Sequence, residues 1–496
     1  MKTIKLIIVF VLFVNTLQAK SKNILLDRDF WKTQPSLALI KQKIKEGHSA
    51  TELTTYGFDA TVYAILEKLP NTVIKHLLSI KGNHVNKLTH DKRTYVFWAA
   101  YKDNLELMEY LFANNAKTDL KDSHGYSILT FAAATGNTNT KIYDLCIENG
   151  MDLKTDLDEH GASALLLVSP YLNNFDLINY FTEKGLDINM RDNDGNGIFN
   201  YASRKGHVEF LSLLIKKGVD YKSLNKNEGN ALFWATKSHN GEYNSLKFFK
   251  YLKDLGIAIN ITNKDGDTPL HNIAYRNNSL KTLNYFLNEG LDVNQTDKDG
   301  NTSLISASGR NTLDIISKLE KNTKNINHLN KDGHSALTKA MRNSTDVIRF
   351  LIEKGANVHV VDNKGNNLAY YLFKSFDKEK QEDFNTKLML LSKNGFNIKT
   401  SQKNGNTLFH LAVESNNIDL LKYVNASNIN INTKNKDGLT AIHMAVMNAK
   451  DTKILKYLLS IGADKRVNTN FDESLYALAQ ENEIFQKQNI DITFLK

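Results

Sequence analysis

The chain has 496 residues, of which 41% are hydrophobic and 24% are charged, so it is neither a disordered polymer nor a polytopic membrane protein. It exceeds the size at which a single compact core stops growing, which leaves several domains or one elongated repeat array. A single cysteine excludes an intrachain disulfide framework and a cysteine-based zinc site, and a net charge of +9 permits acidic partners without arguing for nucleic acid.

The first nineteen residues have the features of a secretory signal peptide. Lys2 and Lys5 are followed by an unbroken apolar run at residues 7–14, and the residues after this run are polar or small. This is the order of regions in a signal peptide, and the run is too short to span a bilayer. We expect residues 1–19 to be cleaved, with an uncleaved N-terminal anchor as the alternative. The mature chain is then exported without stable membrane insertion.

Residues 20–56 are predicted to form an N-terminal helical cap. Pro35 starts a helix, Leu37 and Ile44 lie on one of its faces, and Gly47 ends it. A repeat array needs such a segment because its terminal repeats would otherwise expose an apolar face.

One motif recurs along the rest of the chain. Its best copy is Lys-Asp-Gly-Asp-Thr-Pro-Leu-His at residues 264–271, and degraded copies follow at a mean spacing of about 35 residues. In many copies a glycine that ends a helix stands ten residues before the motif glycine, as Gly256 does before Gly266. Asp-Gly is typical of a tight turn, and Thr268 followed by Pro269 is typical of a helix start. Each copy therefore predicts a turn followed by helices.

The motif Thr268-Pro269-Leu270-His271 and the period of its copies resemble those of the ankyrin-repeat family. The resemblance covers roughly residues 57–482 and implies an all-α solenoid of about thirteen helix-turn-helix units with short β-hairpin fingers. Residues 483–496 would then form a C-terminal cap or tail. The resemblance also implies a concave surface for partners, made by the fingers and the C-terminal ends of the inner helices.

Two turns of the predicted array are longer than the others. They lie at residues 237–244 and 374–386, and the second is rich in Asp, Glu and Lys. A long turn in a regular array arises either by sequence drift or as a grafted contact with another molecule, and both explanations stay open here.

No catalytic constellation is recognisable in the sequence. It contains no Gly-x-Ser-x-Gly, no phosphate-binding Gly-rich loop and no His-Glu-x-x-His. His271, His410 and His443 occupy the family's histidine position, where the resemblance implies a hydrogen bond to the backbone of the neighbouring loop. Cys146 lies on an apolar face and is expected to be a small buried residue. We therefore expect no enzyme activity, no cofactor and no metal.

The candidate functional residues are those expected on the concave surface. They are Tyr101, Lys102, Arg204, Lys205, Tyr275, Arg276, Arg310 and Arg342, joined by the finger lysines Lys264, Lys298, Lys331, Lys403 and Lys436. Arginine and tyrosine are favoured interface anchors, so we hypothesise a basic groove with tyrosines that binds an acidic protein surface. The alternative is an ordinary solvated face, because each finger lysine is followed by Asp or Asn and Glu414 joins the same surface.

The sequence thus predicts a monomeric, non-catalytic scaffold that binds an unidentified protein after export, with the bacterial periplasm as its first expected location and the extracellular space as the second. One alternative is a secreted effector that binds host proteins. Another, which rests on resemblance to exported bacterial ankyrin proteins, is an accessory subunit of a periplasmic redox or iron-related enzyme. Nucleic acid is not expected as a partner, because the basic residues alternate with acids.

Overall fold

A computed structural model of the protein describes residues 23–239 and 241–496. Over these ranges the chain is helical, and none of the described residues lies in a named β-strand. No helix in this part of the chain is both long and apolar enough to cross a bilayer. The signal peptide predicted at residues 1–19 lies outside the described residues.

The chain divides into two compact units. The N-terminal unit comprises the described residues up to Ala202 together with Glu209–Asp220, and the C-terminal unit comprises Ser203–Val208 together with the described residues from Tyr221 onward. Among the described residues, the first ten helices belong to the N-terminal unit: α1 (Arg28–Lys32), α2 (Leu37–Lys45), α3 (Ala60–Leu66), α4 (Asn71–Leu78), α5 (Tyr95–Tyr101), α6 (Leu105–Ala113), α7 (Ile128–Ala134), α8 (Thr140–Glu148), α9 (Ala164–Val168) and α10 (Asp176–Glu183). Two helices follow along the chain: α11 (Ile198–Ser203) and α12 (Val208–Lys216).

The remaining helices belong to the C-terminal unit. They are α13 (Ala231–Ala235), α14 (Leu246–Asp254), α15 (Pro269–Arg276), α16 (Leu280–Asn288), α17 (Ser303–Ser308), α18 (Leu313–Glu320), α19 (Ala336–Ala340), α20 (Thr345–Glu353), α21 (Leu368–Lys374), α22 (Gln381–Lys393), α23 (Leu408–Glu414), α24 (Ile418–Asn425), α25 (Ala441–Met447), α26 (Lys453–Ser460), α27 (Leu475–Glu481) and α28 (Glu483–Lys487). Short 3₁₀ turns lie at Ile24–Leu26, His90–Lys92, Ser169–Tyr171, Lys378–Lys380 and Thr493–Leu495.

From α3 onward the helices come in thirteen consecutive pairs. Within the C-terminal unit the first helix of a pair packs against the first helices of its neighbours, as α15, α17 and α19 do, and we call these the inner helices. The second, outer helices pack against each other in the same way, as α18, α20 and α22 do. Small residues let inner helices approach closely, and Ala274, Ala307 and Ala340 are fully buried there. The predicted all-α architecture of about thirteen helix pairs is confirmed.

The predicted fingers precede the inner helices as tight, closed turns, and in the finger of α11 Arg191 and Gly197 form an antiparallel bridge. In one of them Asp297 donates its backbone N–H to Asn301 O at 3.0 Å. Its Oδ1 accepts the N–H groups of Asp299 and Asn301 at 2.9 and 2.8 Å. The side chain thus satisfies donors that a longer strand ladder would have paired. Consecutive fingers are joined by a backbone bond, such as Lys331 N to Asp299 O at 2.8 Å.

The motif histidines fix the start of three inner helices. His410 Nδ1 accepts the N–H of Thr407 at 3.1 Å, and its Nε2 lies 3.0 Å from Leu439 O in the next finger. His271 and His443 make the same two kinds of contact. The predicted bond to the neighbouring loop is confirmed, and it requires the neutral ring with its proton on Nε2. Burial lowers the pKa of both His410 and His443, which keeps the rings neutral.

The two long turns take different forms. Residues 237–244 connect α13 to α14 and contain a single antiparallel bridge between His239 and Glu242, with Gly241 at a φ of 86°. Residues 374–386 contain a 3₁₀ turn and then the start of α22, which is thirteen residues long. Both turns lie in the C-terminal unit.

Candidate functional site

The predicted partner-binding residues fall into separate groups. Tyr101 and Lys102 lie in the N-terminal unit and line a cavity of about 390 Å³. Lys102 Nζ is 5.2 Å from the centroid of the Tyr101 ring, and that ring is 41% exposed. Burial and the nearby charge of Lys68 lower the pKa of Lys102. Asp103 lines the same cavity, so this group mixes cationic and anionic side chains.

Arg204 and Lys205 lie at the long turn of residues 237–244. Arg204 is half-buried, and its Nη2 donates to Ser238 O at 3.3 Å. Burial lowers the pKa of His239, and the charges of Arg204 and Lys205 lower it further. Arg204 therefore has a structural contact with this turn, unlike the exposed anchor that the sequence suggested.

Arg276, Arg310 and Arg342 lie together, at the C-terminal ends of three consecutive inner helices. Arg276 is the last residue of α15, and Arg310 and Arg342 each stand two residues beyond the end of α17 and α19. All three are exposed and line one cavity of about 560 Å³. We call this cavity the arginine pocket. Its other walls include Ser238, Gly241 and Tyr243 of the long turn, together with Gly309 and Asn343.

The guanidinium groups rest on neighbouring residues of the same surface. Arg276 Cζ is 5.2 Å and Arg310 Cζ is 6.0 Å from the centroid of the Tyr275 ring, so two cations contact one aromatic ring. Arg342 leans back onto the preceding repeat, where a Cβ placed on Gly309 would lie 2.8 Å from its Nε. Tyr275 is 41% exposed and leaves these groups open to solvent.

The three arginines differ from two of the finger lysines in their charge balance. In the part of the chain that the structure describes, no carboxylate lies within 4.0 Å of the Arg276, Arg310 or Arg342 guanidinium. Two of the finger lysines, in contrast, have acidic neighbours: Lys264 Nζ is 3.6 Å from Glu228 Oε1, and Lys298 Nζ is 3.7 Å from Asp265 Oδ2. The other finger lysines, Lys331, Lys403 and Lys436, have no described carboxylate partner either, and what distinguishes the three arginines is that they line one cavity together.

Two asparagines, Asn311 (buried) and Asn343 (half-buried), hold the inner-helix ends that carry Arg276 and Arg310. Asn311 Nδ2 donates to Ala274 O and Asn277 O at 2.8 and 3.1 Å. Asn343 Nδ2 donates to Ser308 O and Asn311 O, both at 2.9 Å. Helix ends leave carbonyl groups without a partner inside the helix, and these amides satisfy them from the following repeat. We call this set of contacts the asparagine ladder.

The asparagine ladder continues in both units with some substitutions. Asn137 donates to Ala100 O at 2.8 Å, and Asn482 donates to Val446 O at 2.9 Å. Tyr171 OH and Ser375 Oγ take the same place in their repeats. At Asn277 the contact is missing, because the buried Nδ2 finds no partner among the described residues. The long turn of residues 237–244 precedes this repeat, and Asn244 of that turn already donates to Ala235 O.

A short sequence pattern could have identified the pocket in advance. The dipeptide Arg-Asn occurs at residues 276–277, 310–311 and 342–343, at intervals of 34 and 32 residues. Asn277 and Asn311 are buried and Asn343 is half-buried, whereas the arginine before each of them is exposed. The three arginines were predicted individually from the sequence, whereas the asparagines, Gly309 and Tyr243 were not predicted.

Other reactive groups are few among the residues described. Cys146 is fully buried, and burial raises the pKa of its thiol to about 12. Within residues 23–239 and 241–496, no group of three or more His, Cys, Asp and Glu side chains is placed to hold a metal ion.

Comparison with known proteins agrees with this repeat architecture. The family model described as ankyrin repeats (3 copies) matches residues 61–156, 96–192, 165–262, 241–328 and 378–469, and the single ankyrin-repeat model matches 332–363. An ankyrin repeat protein of Acanthamoeba polyphaga mimivirus is 25% identical over 252 residues, which cover 50% of this chain and 32% of that protein. One from fowlpox virus (strain NVSL) is 32% identical over 118 residues, covering 23% of this chain and 33% of the relative. The matches thus span about a third of each relative.

Proposed function

Because the chain belongs to the ankyrin-repeat family, we propose that it is a non-catalytic scaffold that is exported to a bacterial periplasm and binds an acidic partner protein. Ankyrin repeats are protein-interaction modules, and family membership supports the general part of this proposal. The order of charged, apolar and small residues at 1–19 supports export.

The observation that carries the choice of partner is the charge balance of the arginine pocket. Three exposed arginines, each without a nearby carboxylate among the described residues, create a local excess of positive charge. Such an excess attracts acidic protein surfaces and raises the rate of association with them. Tyr275 adds an exposed aromatic ring of the kind that often anchors an interface.

A secreted effector that binds host proteins is the second candidate. The viral origin of the two relatives favours it, because viruses act inside host cells. An accessory subunit of a periplasmic redox or iron-related enzyme is a special case of the scaffold. It would be recognised by a change in the kcat of the bound enzyme.

Affinity capture with the tagged, exported chain tests these proposals. The bait is exposed to the envelope fraction of its own source and, separately, to a host-cell lysate, at low and moderate salt. Two charge-matched variants accompany the unmodified chain: Arg276→Glu/Arg310→Glu/Arg342→Glu in the pocket and Lys250→Glu/Lys281→Glu/Lys321→Glu on exposed outer-helix positions. We expect one acidic exported protein to be captured, lost at higher salt and lost with the pocket variant only.

Two results would contradict the proposal. Equal capture by the pocket variant and the outer-helix variant would show that the partner binds elsewhere. Specific capture from the host lysate alone would replace the periplasmic scaffold with the effector. The melting temperatures of both variants should stay close to that of the unmodified chain, because none of the six residues makes a described ion pair.

A further inference from the structure

The arginine pocket has defined walls as well as a positive charge. It is formed within the C-terminal unit by three regular repeats on one side and by the long turn of residues 237–244 on the other. Arg204 anchors that turn through Ser238 O, and Ser238 itself lines the cavity. The long turn therefore closes one end of a cavity of about 560 Å³ that an array of uniform repeats would leave open.

The charges in the pocket are separated into two positions. Arg276 and Arg310 both lie over the Tyr275 ring. The Arg342 guanidinium lies against Gly309, which belongs to the repeat after that of Tyr275. Packed helices are about 8–10 Å apart, so the two positions are separated by roughly that distance. An extended segment in the polyproline II conformation rises about 3.1 Å per residue with three residues per turn, so side chains three residues apart lie on one face and about 9 Å apart.

The carboxylates nearest along the array are already compensated. A neighbouring cavity of about 410 Å³ shares Arg342 and contains Asp377 and Asp383. Asp383 accepts from Lys387 Nζ and Thr345 Oγ1, both at 2.8 Å, and Asp377 lies 3.9 Å from Lys380. Arg342 therefore has no carboxylate partner on this side among the residues described.

We propose that the arginine pocket binds an extended acidic segment of a partner polypeptide, in which carboxylate side chains recur about every third residue. One carboxylate lies between Arg276 and Arg310, and the next lies on Arg342. Tyr243 and the long turn limit how far the segment extends beyond Arg276. This inference rests on the proposed protein-binding function and specifies the sequence of the bound segment.

A binding measurement with defined peptides tests the spacing. The probe is a fluorescein-labelled twelve-residue peptide of Gly and Ser with Glu at every third position, and its isomer carries the same four Glu residues in a row. With the full chain at low salt, we expect the spaced peptide to bind about fivefold or more tightly than the isomer. Arg276→Ala, Arg310→Ala and Arg342→Ala should each weaken it roughly threefold to tenfold, and Lys281→Ala on the exposed face of α16 should not.

Gly309→Ala provides a variant that changes no charge. Gly309 has helical φ and ψ of −81° and −16°, so alanine fits its backbone without strain. The added Cβ would lie 2.8 Å from Nε and Nη2 of Arg342 and would displace that guanidinium. We expect Gly309→Ala to weaken the spaced peptide as much as Arg342→Ala does, with an unchanged or raised melting temperature.

Several outcomes would overturn this inference. They are equal binding of the two peptide isomers, an effect of Lys281→Ala equal to that of Arg310→Ala, unchanged peptide affinity in Gly309→Ala, or binding of inorganic phosphate with full displacement of the peptide. Any one of these results would contradict the proposed peptide segment. If the chain still captured an envelope protein through the three arginines, the proposed scaffold function would be retained. Failure of the unmodified chain to capture any envelope protein would instead contradict the scaffold function itself.

Discussion

Replacing Asn311 by alanine should loosen the C-terminal end of α15 selectively. The variant loses the bonds from Nδ2 to Ala274 O and Asn277 O at 2.8 and 3.1 Å. Asn311 is buried, so water does not replace these bonds at once. Each such bond contributes a net of about 1 kcal/mol, and a buried carbonyl left unsatisfied adds a similar amount, so the local cost is about 2–3 kcal/mol. That cost corresponds to roughly 30- to 150-fold more frequent opening of the helix end.

Hydrogen exchange followed by mass spectrometry measures this effect directly. Peptides that cover residues 268–280 should exchange faster in Asn311→Ala by the stated factor, whereas peptides from α23 to α26 should be unchanged. Asn278→Ala is the matched control, because Asn278 is exposed and lies beside the same helix end. The Asn311→Ala chain should also bind the spaced acidic peptide more weakly, since Arg276 stands on the loosened end.

Unchanged exchange in residues 268–280 would refute the role assigned to the asparagine ladder. An equal increase in Asn278→Ala would refute it as well, because that variant removes no ladder contact. A uniform increase over the whole C-terminal unit would mean that Asn311 stabilises the unit globally instead of this helix end.

Three further predictions concern other parts of the chain. Gly333 has a φ of 82°, and a Cβ there would lie 2.7 Å from Asn363 N, so Gly333→Ala should destabilise the chain by about 2 kcal/mol or more in denaturant titrations. Burial lowers the pKa of His410 and His443 below the ordinary value of 6.5, so the unfolded chain takes up protons first as the pH falls. Stability should therefore be complete above about pH 6.5 and should decline below it, as measured by thermal melts between pH 7.5 and 5. Since burial raises the pKa of Cys146 to about 12, iodoacetamide at pH 8 should label it only after unfolding.

Each of these three predictions has a result that contradicts it. Gly333→Ala with the stability of the unmodified chain would show that the finger backbone adapts to a side chain. A double variant, His410→Gln/His443→Gln, that keeps the same loss of stability at low pH would assign that loss to other groups. Rapid labelling of Cys146 in the folded chain would show that α8 opens locally.

Local rules predicted the repeating elements well. The glycine of each finger follows from the turn it must make, as at Gly266 with its φ of 76°. The place of His271 followed from the motif, and the structure gives it the predicted backbone contacts. Such features depend on a few neighbouring residues, so they can be predicted from the sequence of a single repeat.

The candidate site was less predictable because it depends on contacts between repeats. Lys264 and Lys298 resemble the arginines in sequence, but each has an acidic neighbour from the preceding finger, 36 and 33 residues earlier in the chain. Arg204 occupies the same kind of position as Arg310, yet its contact with the long turn half-buries it. A single repeat does not reveal which cation keeps its charge free, since contacts with the repeats on either side decide it.

The missing ladder contact at Asn277 has a mechanical consequence. Where the asparagine ladder is intact, as at Asn311 and Asn343, tension along the C-terminal unit is shared between helix packing and buried hydrogen bonds. The repeat of α15 lacks the bond from Asn277, so less work is needed to separate it from the repeat before it. Under an applied stretching force, this junction should rupture before the junctions on its C-terminal side. The repeat that contains the long turn would then be the first to separate from the repeats that follow it.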